Sequence, residues 1–189
     1  CYEAPVVLAG AQPIRIPLGL DFRPNWAQIR ASITANTRML ITNNPHNPSG
    51  TIWDANDFEA LESIMQDFPD LLLLSDEVYE FIAFEQSHQS IHQRAQIRKR
   101  AIIVSSFGKT FHITGWKMGY LVCAPDLMKE IHKVHQFLVF SVNSVAQLAL
   151  ANYLSQVKIE SLATFYMQKR DQFREGMHKS RFDLLPAHG

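Results

Sequence analysis

The sequence predicts an α/β fold: a central, mainly parallel sheet flanked by helices. Three observations predict it. Apolar, strand-like runs recur at Met39–Thr42, Leu71–Leu74, Ala101–Val104 and Gly119–Ala124. Between and after them lie longer stretches whose apolar residues return at helical spacing, the alternation that joins parallel strands. The first three runs end in Asn, Asp or a Ser-Lys turn, at the strand ends where open α/β sheets bind ligands.

Taken in order, Val6–Ala9 and Ile14–Leu18 read as short strands separated by Gly10 and Pro13. Asn25 caps a helix reaching Thr34. The Met39 strand ends in an Asn-Pro turn, and Asp54 caps a helix over 55–67 with Phe58, Leu61 and Ile64 along one face. Pro69 stops that helix. After the Leu71 strand comes a loop from Glu85 to Gln93, rich in Gln, Ser and His. The Ala101 strand leads into a glycine-spaced turn carrying Lys109, and then into the Gly119 strand. Pro125 suits the first turn of a helix that runs to Val139, with Leu127, Ile131, Val134, Phe137 and Leu138 as its apolar stripe. A small apolar helix follows over Ser144–Leu154, and a charge-dense one from Ile159 to Lys179. No repeat or low-complexity segment interrupts this pattern.

The bulk composition narrows the function classes. Among 189 residues, Lys+Arg and Asp+Glu balance at 18 each, which offers nothing to nucleic acid or an anionic membrane surface. No apolar run is long enough to span a bilayer, and no signal peptide is apparent. Cys1 and Cys123 are too few and too far apart for a zinc pattern, and the eight histidines show no metal-ligand spacing, so no metal is expected. A reducing cytoplasm is the simplest setting.

The chemistry concentrates in four segments. In Ser105-Ser106-Phe107-Gly108-Lys109-Thr110-Phe111, an amine just past a strand end can condense with an aldehyde cofactor, and the adjoining hydroxyls can hold a phosphate. On composition alone this segment fits a solvated surface loop better. Asp76 ends a run of four leucines, where a carboxylate is costly unless paired, and Tyr79 follows three residues on. Glu77 falls on the opposite face of a continuing strand. Asn43-Asn44-Pro45-His46-Asn47-Pro48-Ser49-Gly50 follows the Met39 strand, and Gly115-Trp116-Lys117-Met118-Gly119-Tyr120 follows Lys109.

In this order and spacing, the four segments resemble the pyridoxal-phosphate aminotransferases of fold type I, class I/II, nearest the methionine and kynurenine–oxoglutarate aminotransferase branch. The likeness covers nearly the whole chain. It implies that Lys109 carries the cofactor as an internal aldimine and, once uncharged and freed by substrate, moves the α-proton. It implies that Asp76 pairs with the pyridine nitrogen and that Asn47 and Tyr79 reach the 3′ oxygen. Ser106 and Lys117 would hold the phosphate, with Ser105 contributing less. Lys117 stands where many relatives have arginine; lysine is usual in the named branch, but it lacks the bidentate fork. Phe140-Ser141-Val142-Asn143 resembles a segment approaching the neighbouring subunit of a homodimer, while His46, Trp53 and Trp116 read as structural or packing residues.

The implied reaction is ping-pong transfer of an amino group from a methionine-like or aromatic amino acid to a 2-oxo acid. Residues 1–154 would form part of the cofactor-binding large domain, and 155–189 a connecting helix and the start of a small domain. Both ends look cut, and family members are about twice this length. The glycine-containing arm, the phosphate-receiving helix, the ring-stacking aromatic, the partner's tyrosine and the carboxylate-binding arginine are not in the 189 residues, so this piece alone is expected to be inactive. A carbon–sulfur β-lyase on the same scaffold, or the cofactor-sensing domain of a transcription regulator, are the alternative readings.

Overall fold

The computed structural model describes residues 2–189. Four strands, β1 (Met39–Asn43), β2 (Leu72–Asp76), β3 (Ala101–Ser106) and β4 (Gly119–Cys123), form one sheet in the order β1-β2-β3-β4. The first three are parallel, and β4 closes the edge antiparallel to β3. The expected mainly parallel sheet is therefore present, with the antiparallel edge strand that many such sheets carry.

The helices are α1 (Glu3–Leu8), α2 (Trp26–Ser32), α3 (Ala55–Asp67), α4 (Phe107–Thr110), α5 (Pro125–Leu138), α6 (Ser144–Leu154) and α7 (Ser161–Met177). Locally encoded signals place several of them. Asn25 accepts from the Gln28 N–H at the start of α2. Asp54 and Asp57 form a reciprocal capping box that starts α3. At the other end of α3, the Arg100 guanidinium donates to the carbonyl of Met65 in the last turn and to those of Phe68, Pro69 and Leu71 in the segment that follows.

The core lies on one sheet face. Phe58, Leu61, Ile64 and Met65 of α3 pack with Leu71, Leu73, Ala101, Ile103, Ile91 and Ile97, all buried. Trp53 is buried there as expected, edge-on to Trp26 and Phe58. A second, smaller cluster joins Met118, Ala146 and Leu150 to Phe107, Phe111 and Ile113.

Three expectations need correction. Val6–Ala9 is not a strand: Glu3–Leu8 is a short helix, with Glu3 favourable in its first turn and Pro5 tolerated so near the start. Val7 and Leu8 are exposed and pair with no strand. Ile14–Leu18 is irregular and joins no sheet. Pro13 and Pro17 remove two of the N–H donors a ladder would need, and Ile16 packs on the core instead. Trp116 is 47% exposed rather than packed.

Candidate active site

The site is built at the C-terminal ends of β1, β2 and β3. Strand alternation sorts the side chains. Leu73, Ser75 and Glu77 point into the core, as do Ala101, Ile103 and Ser105. Asp76 lies beside Val104 in register, so Asp76 and Ser106 share the opposite face.

Lys109 sits on α4, one helical turn formed directly after β3 rather than an open turn. Ser106 caps it, its hydroxyl oxygen accepting from the Gly108 N–H at 3.0 Å and its proton directed to the Met118 carbonyl at 3.3 Å. Two glycines make this corner compact. A Cβ on Gly108 would lie 3.0 Å from Thr114 Cα, and one on Gly119 only 2.8 Å from the Ser105 carbonyl oxygen. Lys109 is exposed into a cleft of about 440 Å³ that Asn47 and Tyr79 also line. The Asn47 amide donates to the Tyr79 hydroxyl at 2.7 Å. Asn47 is placed by the Asn43 side chain, whose oxygen accepts the Asn47 N–H at 2.9 Å. Three predicted site residues, separated by up to 62 positions in sequence, thus meet in one cleft.

Asp76, Ser106 and Lys117 lie outside that lining. Asp76 is half-buried and accepts the Tyr2 hydroxyl at 2.6 Å and the Val78 N–H at 3.2 Å. A carboxylate has about four acceptor positions, so capacity for a further donor remains. Burial, and then the Asp76 carboxylate, push the Tyr2 phenol well above the usual tyrosine range, so Tyr2 stays a donor. Lys117 is exposed and ends a 3-10 turn over Thr114–Trp116, with left-handed backbone at φ 56°. Ser105 is buried, and its hydroxyl donates to Glu80 at 2.6 Å, on the strand face opposite Ser106. His46 bonds Ser49 at 2.8 Å, in keeping with a structural role, and burial lowers its pKa.

Some contributors carried no sequence signal. Tyr2 reaches Asp76 across 74 positions. His112 and Tyr166 also line the cleft and bond to each other at 3.0 Å, joining α7 to the Lys109 segment. Neither contact follows from local spacing.

The family model for aminotransferase class I and II matches residues 2–189. The chain belongs to the class I and II aminotransferase family. It is 44% identical to the methionine aminotransferase of Escherichia coli, over 100% of this chain and 50% of that enzyme. It is 29% identical to a kynurenine–oxoglutarate transaminase of Dictyostelium discoideum, over 100% of this chain and 48% of that one. The solved structure of YbdL from Escherichia coli, described as having a methionine aminotransferase function, superposes with a TM-score of 0.95 at 44% identity, covering 100% of this chain and 50% of YbdL. The aspartate aminotransferase of Thermus thermophilus superposes at 0.86 with 27% identity, over 98% of this chain and 50% of that one. The chain spans about half the length of the curated relatives it matches.

A primary amine, an amide–phenol pair, a strand-end carboxylate and a hydroxyl at a turn are group types that suit pyridoxal phosphate, an aldehyde with a ring oxygen, a ring nitrogen and a phosphate. Among the described residues, no group of His, Cys, Asp and Glu is arranged to hold a metal ion.

Proposed function

We propose that the full-length protein is a pyridoxal-phosphate-dependent aminotransferase. It transfers an amino group from an amino acid, methionine-like or aromatic by preference, to a 2-oxo acid. The observation that carries this reading is the convergence of Lys109, Asn47 and Tyr79 on one strand-end cleft. The donor preference rests on the names of the E. coli and D. discoideum relatives.

In this reading, Lys109 binds the cofactor through its amine and, when released, carries the proton to and from the substrate α-carbon. When bound, the cofactor supplies the electron sink that makes that proton acidic. Asn47 and Tyr79 orient the ring through its 3′ oxygen. Asp76 holds the ring nitrogen, while Ser106 and Lys117 hold the phosphate. Residues 1–154 belong to the cofactor domain and 155–189 to a connector and the start of a small domain. The exposed Phe140-Ser141-Val142-Asn143 segment would approach a second subunit in a homodimer. No helix among the described residues is long and apolar enough to cross a membrane, and a reducing cytoplasm suits the free thiol of Cys123.

The test is borohydride reduction of the full-length holoenzyme followed by peptide mapping. The pyridoxyl group is expected on Lys109, and a Lys109→Ala variant is expected to lose turnover of methionine with a 2-oxo acid while staying folded. A label on Lys117 instead overturns the assignment. The β-lyase reading is not favoured by these relatives, and balanced charge gives the regulator reading no support.

A further inference from the structure

Behind the site lies a carboxylate that the proposed reaction does not use. Glu80 directly follows Tyr79, in a turn closed by its own backbone: the Glu80 N–H donates to the Glu77 carbonyl, and the Ile82 N–H to the Tyr79 carbonyl, both at 2.8 Å. Those bonds shape the turn but do not tie it to the rest of the sheet. Glu80 does. Its Oε1 accepts the Ser105 hydroxyl at 2.6 Å and the Tyr120 hydroxyl at 2.5 Å. Ser105 is 3% exposed and lies in β3, immediately before Ser106 and four residues before Lys109. Tyr120 is the register partner of Ser105 on β4, and its ring rests 5.2 Å from that of Phe107, the first residue of α4. Both donors therefore belong to the strands that enter and leave the Lys109 segment. Hydrogen bonds to a carboxylate are short and about twice as strong as neutral ones. Burial, and then the Glu80 bond, push the Tyr120 phenol up to about 12, so it remains a donor at ordinary pH.

We propose that Glu80 is a positioning residue: by tying the Tyr79 turn to Ser105 and Tyr120, it sets where the Tyr79 hydroxyl stands relative to Lys109, and so how that phenol bears on the cofactor. The proposal rests on the reading of Lys109 and Tyr79 as cofactor-binding residues. A phenol that donates to the cofactor's 3′ oxygen favours the form in which that oxygen is charged and the Lys109-linked nitrogen is unprotonated. A displaced phenol does so less well, and the nitrogen holds its proton to higher pH.

The readout is a pH titration of the cofactor's absorbance in the full-length holoenzyme, together with the cofactor dissociation constant. Tyr79→Phe is expected to raise the titration midpoint by about one pH unit. Glu80→Ala is expected to move it the same way and by a similar amount, while Glu80→Gln, which keeps a carbonyl acceptor for both hydroxyls, restores most of the wild-type midpoint. Tyr120→Phe removes one donor and leaves the carboxylate; it is expected to give a smaller rise and carries the test if Glu80→Ala does not fold. A Glu80→Ala midpoint equal to wild type, or a Gln variant no better than Ala, overturns the role of Glu80 when Tyr79→Phe does shift. An unmoved Tyr79→Phe midpoint overturns this proposal, and if Lys109 also carries no borohydride label it overturns the underlying site reading as well.

Discussion

Asp76 and Glu77 adjoin in sequence and differ in everything around them. The Asp76 carboxylate is half-buried on the site face and accepts from Tyr2 and Val78. Glu77 is 1% exposed on the core face and accepts from the Ser75 hydroxyl and the Ile91 N–H and bonds the His88 ring. The two-residue period of a strand does this sorting, which is why Asp76 could be singled out from the sequence as the acid able to meet a ligand. Asp76→Asn in the full-length enzyme is expected to slow α-proton abstraction by about a hundredfold, the scale of one lost electrostatic partner. Cofactor affinity is expected to fall far less. Exchange of an α-deuterium from the amino donor measures the first and cofactor titration the second. Unchanged exchange would make Asp76 only a strand-end acid.

Among the elements, the segment from Glu77 to Gln93 is held by buried polar contacts. It contains Tyr79 and Glu80, and no long helix covers it. Glu77 pins its far end through His88 and the Ile91 N–H. Burial alone would raise the Glu77 pKa, but the hydrogen bond and charge of His88, and then the Ile91 N–H, hold it below the usual carboxylate value. A depressed pKa in the folded state gives stability that is present above the unfolded carboxylate value and is lost as pH falls through the folded one. Glu77→Gln is therefore expected to cost about 2 kcal/mol near neutral pH, the scale of hydrogen bonds to a charged group. The difference from wild type should shrink as pH drops below about 4. Denaturant unfolding of both proteins across that range measures it, and a gap that stays constant with pH would mean the charge is not what stabilises the segment.

For the whole molecule, the sheet and its core are formed, but much apolar surface is open. No residue of α5 is buried, and Phe137, Leu138, Phe140, Val145 and Leu148 are exposed by 73% to 86%. Contiguous apolar faces of this kind need a cover, and the chain spans half the length of its relatives. Expressed by itself, the 189-residue chain is expected to self-associate and to show no sustained turnover of methionine with a 2-oxo acid. Light scattering checks the first outcome. The second is checked by turnover against a Lys109→Ala control, because any accessible lysine reacts slowly with the cofactor and absorbance alone does not discriminate. Turnover above that control would show that the cleft of Lys109, Asn47 and Tyr79 suffices without further chain.

What the sequence determined by itself was whatever is encoded locally or carried by motif order. The cap at Asp54, the stop at Pro69, the helix over Ser144–Leu154 and the strand ahead of Lys109 were all legible because each signal lies within a few residues of what it specifies. The same held for Lys109, Asp76, Asn47 and Tyr79 as candidates, since their spacing in four segments is specific even though each segment alone is not. Tertiary structure decided the rest. Val6–Ala9 has strand-like composition, yet with no neighbour to pair with it coiled into a helix. Ile14–Leu18 stayed out of the sheet because Pro13 and Pro17 lack the N–H donors a ladder needs. That Tyr2 meets Asp76, that His112 meets Tyr166 and that Glu80 ties Tyr79 to Ser105 and Tyr120 are contacts between residues 25 to 74 positions apart. No periodicity records such contacts; they exist only because the fold brings distant parts of the chain together around the ends of the strands.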